Sequence, residues 1–429
     1  MEYIHRSLER KFLKMSSSFK VVMLTGARQV GKSTMLKHLA KDSGRVYISM
    51  DDLNLRELAQ RDPKLFFQIY QPPILIDEVQ KAPALFEEIK LLCDESDERG
   101  RFWLTGSQSK RLMRQAGDSL AGRICILKMF SLSAKELAGK ADDIPDNYTF
   151  SSFLQRSKNY PENNILQVYD RIWKGGMPDM LSMDTELRLA YWNSYIDTYL
   201  IRDAVDDNGI QDTEGFRKFL RACAAFSAEL LNYNDLGNAA GISAVTAKEW
   251  IKVLQSMGII FLLEPFYNNE LKRMIKTPKL YFCDTGLCSF LSSWTSRDTL
   301  MNGAASGHYL ENYVVSEILK NTSYGEKTVS LNFYRDTNQK EIDLVLEIEG
   351  GLYAFEIKRT ASPERKLIRT FSLLEKSGKE LKAGGIICMA EKPFPMDSSN
   401  FLLPVDLLYR KCSYKAKRNC SRSPYTYNR

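Results

Sequence analysis

Apolar positions along this chain come in two rhythms. Mostly apolar runs bounded by polar residues, Val21 to Leu24, Val46 to Met50, Ile74 to Ile76 and Phe102 to Leu104, have the pattern of strands buried on both faces. Between the first two, Met35, Leu36, Leu39 and Ala40 recur at helical spacing among good helix formers. Strand alternating with helix predicts an α/β core on a parallel sheet. Ahead of the first strand, Ile4, Leu8, Phe12 and Met15 predict an amphipathic helix over residues 2–15 that packs on this core.

The rhythm changes near residue 140. Residues 139–165 are polar and rich in turn formers, which closes the first unit at 140. A tight turn at Lys174-Gly175-Gly176-Met177-Pro178 follows. Leu187 to Val205 then reads as one long helix, whose Tyr191, Trp192, Tyr195 and Tyr199 form a stripe expected in the core. At its end Arg202-Asp203 reads as an ion-pair site, with reach toward a neighbouring nucleotide the rarer use. From 214 to 266 come helices at Gly215–Leu231, Asn234–Ala240 and Val245–Met257, then a strand from Ile259, the rhythm of a winged helix. Past Gly303 a helix opens at His308. Strands are predicted at Leu331–Tyr334, Glu341–Ile348 and Leu352–Arg359, a helix from Pro363 to Lys376, and a strand at Gly385–Met389. The tail from Lys411 carries six Lys/Arg and no acid, and is expected to be disordered. The predicted units are 1–140, a helical linker 141–212, 213–282, 283–410 and the tail 411–429.

Composition narrows the setting. Apolar content of 44% and charged content of 26% are ordinary for a globular chain. A net charge of +7 permits nucleic-acid contact without arguing for it. Eight cysteines without a C-x-x-C pair and only three histidines make zinc a poor fit, and reduced thiols are expected. No apolar run reaches the roughly eighteen residues of a membrane helix, and the charged N-terminus is unlike a signal peptide. No membrane contact and a cytoplasmic location are therefore expected.

Candidate chemistry centres on Gly26-Ala27-Arg28-Gln29-Val30-Gly31-Lys32-Ser33-Thr34, set between a strand and a helix. That context is what the phosphate-binding pattern G-x-x-x-x-G-K-[ST] requires. The glycines let backbone N–H groups curl into an anion nest at a helix N-terminus. Lys32 would reach the β- and γ-phosphates of ATP, and Ser33 would offer its hydroxyl to Mg²⁺. The strand ending Asp77-Glu78 would add Asp77 beside that metal and Glu78 as the base that polarises the attacking water. Ser107 and Gln108, after the next strand, are either γ-phosphate contacts or part of a glycine turn. Arg123 is either a charge-stabilising arginine or a surface residue.

The C-terminal part carries a second constellation. Side-chain alternation puts Glu341 and Asp343 on one strand face, and Glu356 and Lys358 on another. Asp, about a dozen residues, then Glu-x-Lys is the arrangement of two-carboxylate, one-lysine nucleases, in which the acids hold Mg²⁺ and the lysine serves the attacking water. A solvated charged face is the plainer reading.

The stretches GARQVGKST, ILIDEVQ, WLTGSQS and SLAGR resemble prokaryotic AAA-type ATPases of the additional-strand catalytic-glutamate division of P-loop proteins, and more narrowly a family within it. The resemblance implies an α/β fold with a P-loop NTPase parallel-sheet core, a winged-helix region and a C-terminal α/β domain related to the restriction-endonuclease fold. It places Glu311 as that fold's helix glutamate, Asp343 and Glu356 as metal ligands and Lys358 as its lysine. ATP and Mg²⁺ are the implied cofactors. DNA and further copies of the chain are the implied partners. Two activities stay open: an ATPase that drives a DNA-facing module, and a nucleotide-switched protein that grips a partner without cutting it. The stretch Lys272 to Lys279 is the most basic part of the would-be DNA face.

Overall fold

A computed structural model describes residues 2–107, 110–142, 164–206, 208–266, 276–405 and 407. Gln108, the basic tail and Lys272, Arg273, Met274 and Ile275 of the basic stretch lie outside these residues.

The first unit is a five-stranded parallel sheet. Along the chain run α1 (Glu9–Ser16), β1 (Val21–Thr25), α2 (Lys32–Ala40), β2 (Val46–Ser49), α3 (Leu53–Arg61), α4 (Pro63–Ile69), β3 (Ile74–Asp77), α5 (Leu85–Asp94), β4 (Phe102–Thr105), α6 (Lys110–Leu120), β5 (Ile124–Lys128) and α7 (Ala134–Leu137). Spatial order is β2-β3-β4-β1-β5. Alternation along β1 sends Val21 and Met23 to one side of the sheet, with Ile76, Phe86 and Leu104, and Val22 and Leu24 to the other. Asp52, next to the predicted second strand, caps α3 by accepting from the N–H groups of Asn54 and Leu55.

The leading helix is shorter than its apolar spacing predicts and starts at Glu9. Glu9 draws the preceding segment away from helix, accepting from Tyr3 Oη at 2.6 Å and from the Arg6 N–H at 2.6 Å. It packs on the core as expected: Phe12 meets Trp103 edge-on at 4.9 Å, and Trp103 Nε1 donates to Ser16 Oγ at 2.7 Å.

The middle region is helical. α8 (Ile165–Lys174), a short 3₁₀ turn and α9 (Thr185–Tyr195) lead into a π turn (Ile196–Leu200) and α10 (Ile201–Asp206). The predicted long helix is thus present, with one wide turn inside it. α11 (Thr213–Ala225), α12 (Tyr233–Ala240) and α13 (Ala244–Ser256) follow, then β6 (Ile260–Pro265) and β7 (Lys279–Phe282), which pair antiparallel. α11 stops six residues short of its predicted end at Leu231, because Ala228 turns left-handed (φ 65°) and Leu230 bridges to Lys279.

The last region comprises α14 (Thr285–Leu291), α15 (Arg297–Asn302), α16 (Ser306–Tyr324), β8 (Val329–Arg335), β9 (Glu341–Ile348), β10 (Gly351–Lys358), a 3₁₀ segment (Arg365–Ser377), β11 (Gly384–Cys388), β12 (Phe394–Pro395) and β13 (Asn400–Pro404). The helix predicted after Pro363 is therefore 3₁₀. Its sheet is mixed, in the order β12-β13-β11-β10-β9-β8-β6-β7. Glu264 of β6 pairs in parallel with Asn332 of β8, so the hairpin of the middle region is the edge of the C-terminal sheet. One contiguous buried cluster runs from Leu24 and Trp103 through Trp192, Phe219 and Leu254 to Leu310 and Phe355. The architecture is α/β: parallel-sheet core, helical middle, mixed C-terminal sheet.

Candidate active site and a second charged cluster

The 26–34 loop leaves the carboxyl end of β1, whose neighbours β4 and β5 flank it, at the point where the sheet's strand order reverses. Its backbone is left-handed at Gly26 (φ 146°), Gln29 (φ 60°) and Gly31 (φ 97°). A Cβ at Gly26 would lie 2.1 Å from the Met129 carbonyl oxygen, so only glycine lets the loop pass β5. α2 begins at Lys32, which aims a helix N-terminus at the cradle. Lys32 is buried and its Nζ donates to the carbonyls of Gly26 (3.0 Å) and Ala27 (2.8 Å). Burial lowers its pKa to about 8, against the opposing pull of Glu78 and Asp77.

Asp77 gathers three hydroxyls. Ser33 Oγ donates to Oδ1 at 2.7 Å, Tyr47 Oη to Oδ2 at 2.9 Å, and Thr105 Oγ1 also donates to Oδ1. A loop hydroxyl touching a strand-end carboxylate is the oxygen donor set that suits Mg²⁺, and the residues fit that ion. Glu78, next along, is left-handed (φ 56°), and its N–H donates to Thr105 Oγ1 at 3.2 Å. Gln80 Nε2 donates to Glu78 Oε2 and, at 3.2 Å, to Ser107 Oγ. Gln80 thus ties the two residues together, a role that spacing alone did not reveal.

Arg123 is elsewhere. It sits at the start of β5, at the amino end of the sheet, and holds Asp94 through two bonds of 2.7 and 2.9 Å. It does not approach its own chain's loop, and the surface reading replaces the arginine-finger reading there. Arg202 is exposed, 5.9 Å from the centre of the Tyr199 ring.

The middle helix adds contacts that the sequence did not announce. Arg28 forms a bidentate pair with Asp203, at 2.6 and 2.8 Å. Gln29 donates to Tyr199 Oη at 3.2 Å and accepts from Tyr191 Oη at 2.9 Å, while Tyr195 Oη reaches the Arg28 carbonyl at 3.4 Å. The aromatic stripe is core at Trp192 and Tyr195, and only half-buried at Tyr191 and Tyr199, whose hydroxyls serve the loop. Polar tips spaced by four along the helix were the available signal.

At the C-terminal sheet, Glu311, Asp343, Glu356 and Lys358 come together with Glu341 and with two residues not foreseen there, Lys279 and Tyr281. Lys358 Nζ lies 2.7 Å from Asp343 and 2.8 Å from Glu356, and the Ile357 N–H donates to Asp343 at 2.7 Å. Lys279 Nζ lies 2.8 Å from Glu311 and 2.5 Å from Glu341, and Tyr281 Oη donates to Glu311 at 2.6 Å. Lys279, read from the sequence as part of an exposed basic face, is buried at 3% exposure on β7. Glu311 and Glu341, half-buried, hold that buried ammonium between them. Burial, with Asp343 adding, raises Glu356 to about 8 and moves Glu311 in the same direction. Burial would lower both lysines, but the carboxylates around them win and hold both above the ordinary value. Each acid is already bonded to an ammonium. Among the described residues no group of three or more His, Cys, Asp or Glu is arranged for a metal. The cluster as it stands does not fit Mg²⁺.

Comparisons with known proteins agree with the loop. Residues 18–138 match the AAA domain family. The strand order and the loop geometry are in keeping with that match, and the N-terminal region has the fold of a P-loop NTPase core. Residues 165–298 and 306–408 match two domains of unknown function, DUF8612 and DUF4143. The chain is 26% identical over 389 residues to uncharacterized protein Rv2008c of Mycobacterium tuberculosis, covering 90% of this chain and 80% of that one. It is 22% identical to uncharacterized protein MJ1544 of Methanocaldococcus jannaschii, covering 89% and 83%. Among solved structures, the Walker-type ATPase PABY2304 of Pyrococcus abyssi aligns with a TM-score of 0.40 at 15% identity, over 67% of this chain and 96% of that one. The RuvB Holliday junction branch migration motor of Thermotoga maritima aligns at 0.28 and 16%, over 60% and 89%. At those scores neither carries an argument about this chain. Among the described residues no helix is long and apolar enough to cross a membrane.

Proposed function

We propose that the chain hydrolyses ATP at the 26–34 loop and uses the hydrolysis to move its middle region. The observation that carries this reading is Glu78. A carboxylate one residue past Asp77, left-handed and held by Gln80 beside Ser107, supports the reading of Glu78 as the base for in-line attack. The loop N–H groups and Lys32 hold the phosphates. Ser33 and Asp77 would hold Mg²⁺, which would supply neutralisation of phosphate charge. Glu78 accepts the proton of the attacking water, and Ser107 is linked to Glu78 through Gln80. A cavity of about 280 Å³ beside Gly31 and Thr34, bordered by Tyr3, Ile4, Pro178 and Asp179, has room for the base. The test is steady-state ATP turnover in Mg²⁺ for the native chain, Glu78→Gln and Lys32→Ala. The glutamine variant should bind ATP and turn over at least ~10²-fold slower. Equal turnover in the native chain and Glu78→Gln sinks hydrolysis by this site.

For the C-terminal domain, the reading that it grips a partner without cutting is favoured by Lys279 and Lys358, which already satisfy the acids a nuclease would give to its metal. DNA incubated with Mg²⁺ or Mn²⁺ should stay intact. Cleavage that disappears in Asp343→Ala would restore the nuclease reading. The case for a DNA face on the winged-helix-like module weakens with Lys279 buried and Lys252 paired to Glu249 at 2.6 Å. An internal packing role for this module is the better-supported one.

A further inference from the structure

Tyr191, Tyr195, Tyr199 and Asp203 are spaced four apart, and all four touch the phosphate loop. A regular α-helix spreads such a series across its face. At ~100° per residue, each step of four overshoots a full turn by ~40°, and three steps fan the side chains over ~120°. The π turn at Ile196–Leu200 lies inside the series. Its wider i→i+5 turn takes up the overshoot, so Asp203 stays in line with Tyr191. The loop is met at two of its variable positions, and Gln29 is held in a left-handed conformation between two tyrosines.

The contact at the end of the series is of a different kind. Asp203 grips Arg28 through two of its guanidinium nitrogens, Nε and Nη2, and the pair is largely shielded from solvent, with side-chain exposures of 19% and 13%. Both charges lie close enough to Lys32 for it to feel them, Arg28 opposing its ammonium and Asp203 favouring it. A guanidinium takes a carboxylate or a phosphate with the same two-pronged geometry. The helix also has an outlet: Asp197 in the π turn pairs with Arg217 on α11, the first helix of the three-helix module.

Resting on the ATP-hydrolysis reading, we propose that Asp203 is a positioning residue that competes with the terminal phosphate of ATP for Arg28. An ATP-bound loop takes the guanidinium, Asp203 lets go, and the helix from Thr185 to Asp206 loosens at its π turn. ADP, without the terminal phosphate, leaves the Arg28–Asp203 pair closed. The state of the nucleotide thereby reaches the Asp197–Arg217 contact and the middle region.

The experiment measures nucleotide affinity and amide hydrogen exchange of residues 185–206 in the full chain, with Mg²⁺ and either ADP or a non-hydrolysable ATP analogue. In the native chain the ATP analogue, and not ADP, should speed exchange at 196–206. Asp203→Asn removes the competing charge and should bind the ATP analogue about 5-fold or more tighter, with exchange already fast and insensitive to nucleotide. Asp203→Glu should return both readouts toward native. A latch that only braces the loop would make Asp203→Asn bind more weakly. Unchanged or weaker affinity in Asp203→Asn, or helix exchange indifferent to ATP in the native chain, overturns the proposal. If the native chain binds and hydrolyses ATP, such a result leaves the hydrolysis reading standing. If it binds no ATP at all, both fall together.

Discussion

The phosphate loop and the C-terminal cluster are built from the same side chains, lysine, carboxylate and hydroxyl, and are poised in opposite ways. At the loop, Lys32 is bonded to two backbone carbonyls and its charge is only partly compensated, so burial wins and its pKa drops to about 8. In the cluster, Lys279 and Lys358 each sit between two carboxylates, and the acids win over burial. A buried ammonium with neutral partners is ready for an anion. One with two acids is already satisfied. Sequence motifs mark both as candidate catalytic sites; the pairing separates them.

The strongest way to break this contrast is to remove the lysines. Lys32→Ala should abolish measurable ATP turnover while leaving the chain folded. Lys279→Met should instead unfold the chain more easily, by about 3–5 kcal/mol in denaturant titration, since Glu311 and Glu341 lose their cation. If Lys279→Met proves harmless to stability and creates Mg²⁺ binding, the cluster is a masked metal site and the contrast fails.

A gentler probe is pH. Lys32 must be charged to hold phosphate, so ATP affinity should fall as pH rises through about 8, and Lys32→Arg should keep a flat profile there. Glu356 runs the other way. Its folded pKa of about 8 lies above its ordinary value, so the folded state binds the extra proton between those limits. Stability should then decline as pH rises from about 4.5 to 8, and Glu356→Gln should remove that decline in pH-dependent denaturation.

The smallest effect is expected at Arg123. Its pair with Asp94 is at the sheet edge away from the loop, so Arg123→Ala should leave turnover and melting temperature near native in dilute solution. A turnover defect that appears only as protein concentration rises, together with a larger solution mass in ATP, would place this arginine in a neighbouring copy's site.

The sequence by itself determined the loop, its strand–helix setting, and the pair Asp77-Glu78, because these depend on local spacing: glycine where φ is positive, a lysine and a hydroxyl on the first helical turn, two acids at a strand end. It likewise marked Asp343, Glu356 and Lys358, because alternation along a strand is a local rule, while Glu311 on α16 was marked only by the resemblance. Only the tertiary structure decided what balances each charge. Lys279 is thirty-two residues from Glu311 and looked like surface, yet the hairpin β6–β7 joins the C-terminal sheet and carries it inside. Asp203 is 175 residues from Arg28, and a single wide turn in a helix lines it up with the loop. Charge compensation acts across whatever is near in space, and chain order does not encode that distance.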